Sequence, residues 1–91
     1  MENIRRFSDP QPSGTSSSAP ARRWSVALSE APSVRWLRAF ADQPPDGDRS
    51  PRLVAFSRDT LLFTATPDQL VDWVRVIDVW MARANATARS S

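Results

Sequence analysis

The sequence predicts an α+β fold: a small two-layer β-α-β-β-α domain with two helices on one face of a three-stranded sheet, behind a disordered N-terminal arm. Three patterns carry the prediction. Trp24, Val26 and Leu28 alternate with Ser25 and Ala27 in a period of two. Two short apolar runs, Leu53 to Ser57 and Thr60 to Ala65, meet at Arg58-Asp59. Apolar residues then recur at helical spacing from Leu70 to Ala84.

The elements follow in chain order. Residues 10 to 21 are almost wholly Pro, Ser, Gly, Thr and Ala, with too little apolar surface to offset the entropy of ordering them. Residues 1–21 therefore read as a disordered Pro/Ser-rich arm. Within it, Ile4-Arg5-Arg6-Phe7 has the form of a docking peptide, two apolar anchors around a basic pair, although fraying is the ordinary state of a chain end. The alternating run at Trp24 is a half-buried strand. Pro32 opens a short helix, where its missing N–H leaves nothing unsatisfied. Val34, Leu37, Phe40 and Ala41 lie on the core side of that helix and Trp36 at its edge. The helix stops before Pro44-Pro45, and Asp46-Gly47-Asp48 makes a polar turn. The two runs around Arg58-Asp59 form a β-hairpin without a turn glycine.

Thr66-Pro67-Asp68-Gln69 places Thr at an N-cap, Pro at the first helical position and Gln where a capping box closes. A long helix to about Asn85 follows. At the helical angle, Leu70, Trp73, Val74, Ile77, Trp80, Met81 and Ala84 share one arc of about 120°, and Asp72, Arg75 and Arg83 lie opposite. The single domain thus spans residues 22–85, with residues 86–91 as a frayed C-terminus.

Composition excludes more than it assigns. The 91 residues contain no His, Cys, Tyr or Lys, the side chains behind most acid/base, nucleophilic, Schiff-base and soft-metal chemistry. The chain is therefore not expected to be an enzyme, and no catalytic, cofactor-binding or metal-ligating residue is assigned. Asp46 and Asp48 with Ser50 offer too few oxygens for an all-protein calcium site. Asp68 and Asp72 suit the positive end of the helix dipole. Without cysteine, a domain of this size relies on an efficient core or a partner, and four Trp supply large buried area.

The pI near 11.0 reflects a net charge of only +2 in a chain where almost nothing titrates between carboxylates and arginine. Between Arg22 and Arg83 nine Arg face eight acidic residues, so the domain is close to neutral. The first nine residues hold no apolar run of a signal peptide, and no stretch is long enough to span a bilayer, which makes the cytoplasm the default location.

Sorting the strands by face suggests where a partner binds. With Trp24, Val26, Leu28, Val54, Phe56, Leu61 and Phe63 under the helices, the other face presents Ser25, Ala27, Leu53, Ala55, Ser57, Leu62 and Thr64, all uncharged. A solvated sheet face ordinarily alternates to charged residues. The assignment rests on register, since a one-residue slip exchanges the faces. A second candidate surface joins Trp36 to Val76, Val79 and Trp80 on the outer side of the long helix, where Val71 also stands.

The expected function is a small non-catalytic protein–protein interaction subunit, an adaptor or an inhibitory or immunity-type accessory protein. It would associate with itself or another protein through the uncharged sheet face, and a homodimer fits. Ala27, Leu53, Ala55, Leu62 and Thr64 would make contact, an edge strand would add main-chain hydrogen bonds, and Arg35 and Arg38 would orient the partner. The alternative is an Arg-dependent nucleic-acid-binding accessory protein, with the same two arginines on phosphates. An RNA-reading sheet would, however, expose aromatics, and the strand aromatics fall on the helix-facing side. No cofactor, small-molecule substrate or membrane partner is implied.

Overall fold

Trp24, Val26 and Leu28 are buried on one side of a single extended segment, and this alternation sets which face of the sheet the helices cover. The computed structural model describes residues 3–12 and 22–90. Four strands form the sheet: β1 (Gln11–Pro12), β2 (Arg22–Ala27), β3 (Ala55–Ser57) and β4 (Thr60–Ala65). Their order is β1-β2-β4-β3, with every neighbouring pair antiparallel. The helices are α1 (Val34–Ala41) and α2 (Leu70–Ser90), with short 3-10 turns at Pro51–Leu53, ahead of β3, and at Pro67–Gln69, ahead of α2.

The fold class is as the sequence predicts, but the sheet has four strands instead of three. The fourth comes from the arm. Gln11 pairs with Ser25 and Pro12 with Trp24, and nearer the terminus Arg6 bridges Leu28. Four arm residues, 7 to 10, lie opposite only Val26 and Ala27, so the pairing bulges. There the Ser8 hydroxyl accepts from Ala27 N at 3.1 Å in place of a ladder carbonyl. Composition alone misses this strand because its partner amides and carbonyls belong to β2. The rest of the expected arm, residues 1–2 and 13–21, lies outside the described residues.

The core faces match the predicted register. Leu61, Phe63 and Ala65 of β4 are buried beside Trp24 and Val26 of β2, whose Trp24 indole donates to the Ala65 carbonyl at 3.0 Å. The α1 face differs. Ser33, rather than Pro32, begins the helix, its hydroxyl accepting from Trp36 N at 3.2 Å. Trp36 and Phe40 are buried, whereas Val34 is 68% exposed. The helix is turned so that its two largest rings enter the core, where they meet Phe56 edge-on at 5.7 and 5.1 Å and Trp80 packs on Phe40 at 5.8 Å.

The long helix also departs from expectation at both ends. No capping box forms, because a 3-10 turn opens the segment: Gln69 N donates to the Thr66 carbonyl, and the Thr66 side chain makes no capping bond. At the other end α2 runs to Ser90 rather than stopping near Asn85. Alanine at positions 82, 84, 86 and 88, with no Gly or Pro, carries the helix on.

The β3–β4 hairpin forms at the expected place, with Ser57 opposite Thr60. Its turn holds Arg58 at φ 56°, a left-handed conformation that L side chains resist. Arg58→Gly should therefore stabilise the domain by about 1 kcal/mol, raising the melting temperature by roughly 4–8 °C in calorimetry. An unchanged or lower melting temperature would mean that the arginine side chain compensates for its backbone. The other predicted turn closes between Asp46 and Arg49 through mutual backbone bonds of 2.7 and 3.0 Å, with Gly47 at φ 62°.

Candidate functional site

Pairing register arranges the open sheet face in rows. Leu62 sits between Ser25 on β2 and Ala55 on β3, and the next row holds Ala27, Thr60 and Ser57. Thr64 follows on the other side, opposite Arg23. Leu62 and Ala27 are half-buried, while Ala55 and Thr64 are exposed. The centre of this face carries no charge, as expected, but Arg23 stands at one end, so the face as a whole is not charge-free.

The arm adds to it. Ile4 and Arg6 face the helices, so Phe7, the next residue after Arg6, projects to the open side and is 78% exposed. The sequence reading did not place this aromatic there. Leu53 is 60% exposed but belongs to the 3-10 turn ahead of β3, outside the strand.

The second expected surface does not exist in the form predicted. Trp36, Val76 and Trp80 are all buried. Val76 lies outside the apolar arc of α2 yet is covered, because the loop through Pro44 and Pro45 crosses that side of the helix. Gln43 ties the loop down by donating from Nε2 to the Trp80 carbonyl at 2.6 Å. A groove of about 400 Å³ remains between Pro44, Pro45, Arg75, Val79 and Arg83, and Val79 stays 44% exposed at its rim. Asp72 accepts from Arg75 at 2.9 Å and lies 3.6 Å from Arg49, linking the turn at residues 46–49 to the first turn of α2.

Arg35 and Arg38 are exposed on α1. They stand on the helical layer, away from Leu62, so they are not at the rim of the open sheet face.

The densest polar geometry was not anticipated. Asn85, the buried polar residue of α2, reads both main-chain groups of Ile4: its Oδ1 accepts from Ile4 N at 2.9 Å and its Nδ2 donates to the Ile4 carbonyl at 2.9 Å. The same Oδ1 accepts from the Trp36 indole at 2.8 Å. About two turns toward the N-terminus of α2, Asp78 takes a two-pronged contact from Arg6, at 2.7 Å from Nε and 3.0 Å from Nη2. That hydrogen-bonded pairing holds the Arg6 guanidinium above its ordinary pKa, with burial pulling the other way. Stability from the raised value is lost as pH rises through the arginine range, and below that range it is present wherever Asp78 is a carboxylate.

Ile4 is 1% exposed and fills the space between the arm and α2. A signal for this site was present in the sequence: Asn85 falls on the continuation of the apolar stripe, four residues after Met81 and next to Ala84, where a polar side chain requires partners. Those partners, 81 and 49 residues away, could not be named from local pattern.

Among the described residues, no group of three or more acidic side chains is placed to hold a metal ion, and no helix is long and apolar enough to cross a membrane. The fold and these surfaces define a small α+β two-layer domain with an arm clasped across its sheet edge. No family model matches the chain, and neither a curated protein nor a solved structure matches it.

Proposed function

We propose that this chain is a small non-catalytic interaction subunit that pairs with a second copy through the open face of its sheet. The observation that carries the reading is Leu62, central in a four-stranded face whose neighbours Ser25, Ala27, Ala55, Ser57 and Thr60 are small and uncharged. Such a surface permits two sheets to approach to about 10 Å. A copy of itself meets no like charge at the centre, and Phe7 offers an aromatic anchor at the margin.

Size sets the strength. Four strands spaced about 4.8 Å apart and six residues rising about 3.4 Å each bound the face at roughly 400 Å² per copy, half that of a standard interface partner. The dimer is accordingly weak, dissociates on dilution and persists in high salt, because apolar contact and not charge holds it.

Leu62→Arg would place like charges against each other at the centre and weaken association by at least about a hundredfold. Light scattering over a dilution series at two salt concentrations checks this, with circular dichroism to confirm that the variant is folded. A wild-type mass retained by Leu62→Arg, or a wild-type chain monomeric at millimolar concentration, would refute the proposal. Retention of a single-stranded oligonucleotide at low salt that Leu62→Arg strengthens would replace it with the nucleic-acid alternative.

A further inference from the structure

The manner in which the arm is held points to a peptide-recognition groove. We infer that the channel between α2 and the edge of β2 that the arm covers is a binding site for an extended segment of a partner protein carrying an aliphatic residue and, two positions later, an arginine, and that the chain's own Ile4 and Arg6 occupy it as an internal competitor. The inference does not rest on pairing through the open face, although displacing the arm would also take β1 and Phe7 from the margin of that face.

Three features of the groove define what it accepts. Asn85 contacts Ile4 through main-chain N–H and C=O alone, which any residue presents, so it fixes register. The pocket that Ile4 itself fills selects an aliphatic side chain, since that residue is almost wholly enclosed. Asp78 engages Arg6 bidentately, a fork that lysine cannot make. Main-chain pairing at the end of β2 and just beyond it, from Phe7 N to the Ala27 carbonyl at 2.7 Å and from Ser29 N to the Arg5 carbonyl at 2.9 Å, completes strand addition.

The arm itself is a modest occupant. Of its ten described residues only Ile4 is buried, Phe7 is turned out to solvent, and the pairing is broken by the bulge at residues 7–10. One buried side chain is a small return for ordering ten residues. An integral edge strand would send apolar residues inward at every second position. Here the inward positions after Ile4 are Arg6, which engages Asp78, and Ser8, whose hydroxyl serves β2. Such a segment can give way to a competitor with the same two side chains and better pairing.

The test keeps the full chain. Residues 14–20 are replaced by a protease recognition sequence, the purified protein is cleaved, and a fluorescein-labelled peptide of residues 1–12 is titrated in, followed by anisotropy. The labelled peptide is expected to exchange with the cleaved arm saturably. Its Ile4→Asp form should bind at least about tenfold more weakly. An Arg6→Glu peptide should lose binding to the normal groove and regain it on a chain carrying Asp78→Arg. The inference is overturned if the cleaved arm stays attached through dilution and excess peptide, or if the chain unfolds as the arm leaves. It is equally overturned if the charge-swapped pair shows no rescue.

Discussion

Trp36→Ala is expected to lower the unfolding free energy by about 3–5 kcal/mol, the largest loss from any single truncation in this domain. Trp36 has no exposed surface, stacks on Phe40 at 5.5 Å and meets Phe56 edge-on at 5.7 Å. Removing it opens a cavity at the junction of α1, α2 and the sheet, and Phe40 then loses its stacked neighbour. For a domain whose total stability is about 5–15 kcal/mol, a large share would disappear. Urea unfolding followed by circular dichroism should show a lower midpoint with an unchanged slope. A loss below about 1 kcal/mol would restore the position that helical periodicity alone gives Trp36, at the edge of α1. Val34→Ala serves as the control, since Val34 is the exposed apolar residue that periodicity had turned inward.

Asn85→Leu is the second large effect, expected at about 2–3 kcal/mol. The substitution keeps roughly the same volume but removes the acceptor shared by Trp36 Nε1 and Ile4 N, and the donor to the Ile4 carbonyl. The indole N–H is left buried without that partner, which costs about 1–3 kcal/mol. The arm then loses its register contact, and the Ile4 amide should lose hydrogen-exchange protection while amides of β4 keep theirs. Trp36→Phe removes the N–H in question, so Asn85→Leu should cost about 1 kcal/mol less on that background than alone. Strict additivity in this cycle would show that the indole contact contributes nothing to stability.

The hairpin at Arg58-Asp59, the strand at Trp24 and most of the α2 stripe were legible because their signals are local. Period two at Trp24, Val26 and Leu28 needs no knowledge of any distant residue, and burial of Leu61 and Phe63 follows from the same rule on β4. The candidate site was legible only in part. Leu62, Ala55, Ala27 and Thr64 fall on the open face as the alternation requires, yet the arginine at its end and Phe7 at its margin were not foreseen.

Where local pattern misled, a contact from far along the chain had outweighed it. The apolar arc of α1 has Val34, Leu37 and Phe40 on its core side, and Phe40 is buried as that arc requires, but burying the Trp36 indole in place of Val34 removes more surface from water, and Asn85 supplies the indole's hydrogen bond. Val76 lies outside the arc of α2 and is buried because the Pro44-Pro45 loop happens to cross it.

The sequence by itself determined the α+β class, the inward faces of the strands, the two turns and the absence of the side chains that ordinary catalysis uses. Tertiary structure alone decided the fourth strand, the rotation of α1 and the groove that clasps Ile4. Each of these depends on pairing free energy between residues 12 to 81 positions apart, which no short window of neighbouring residues contains.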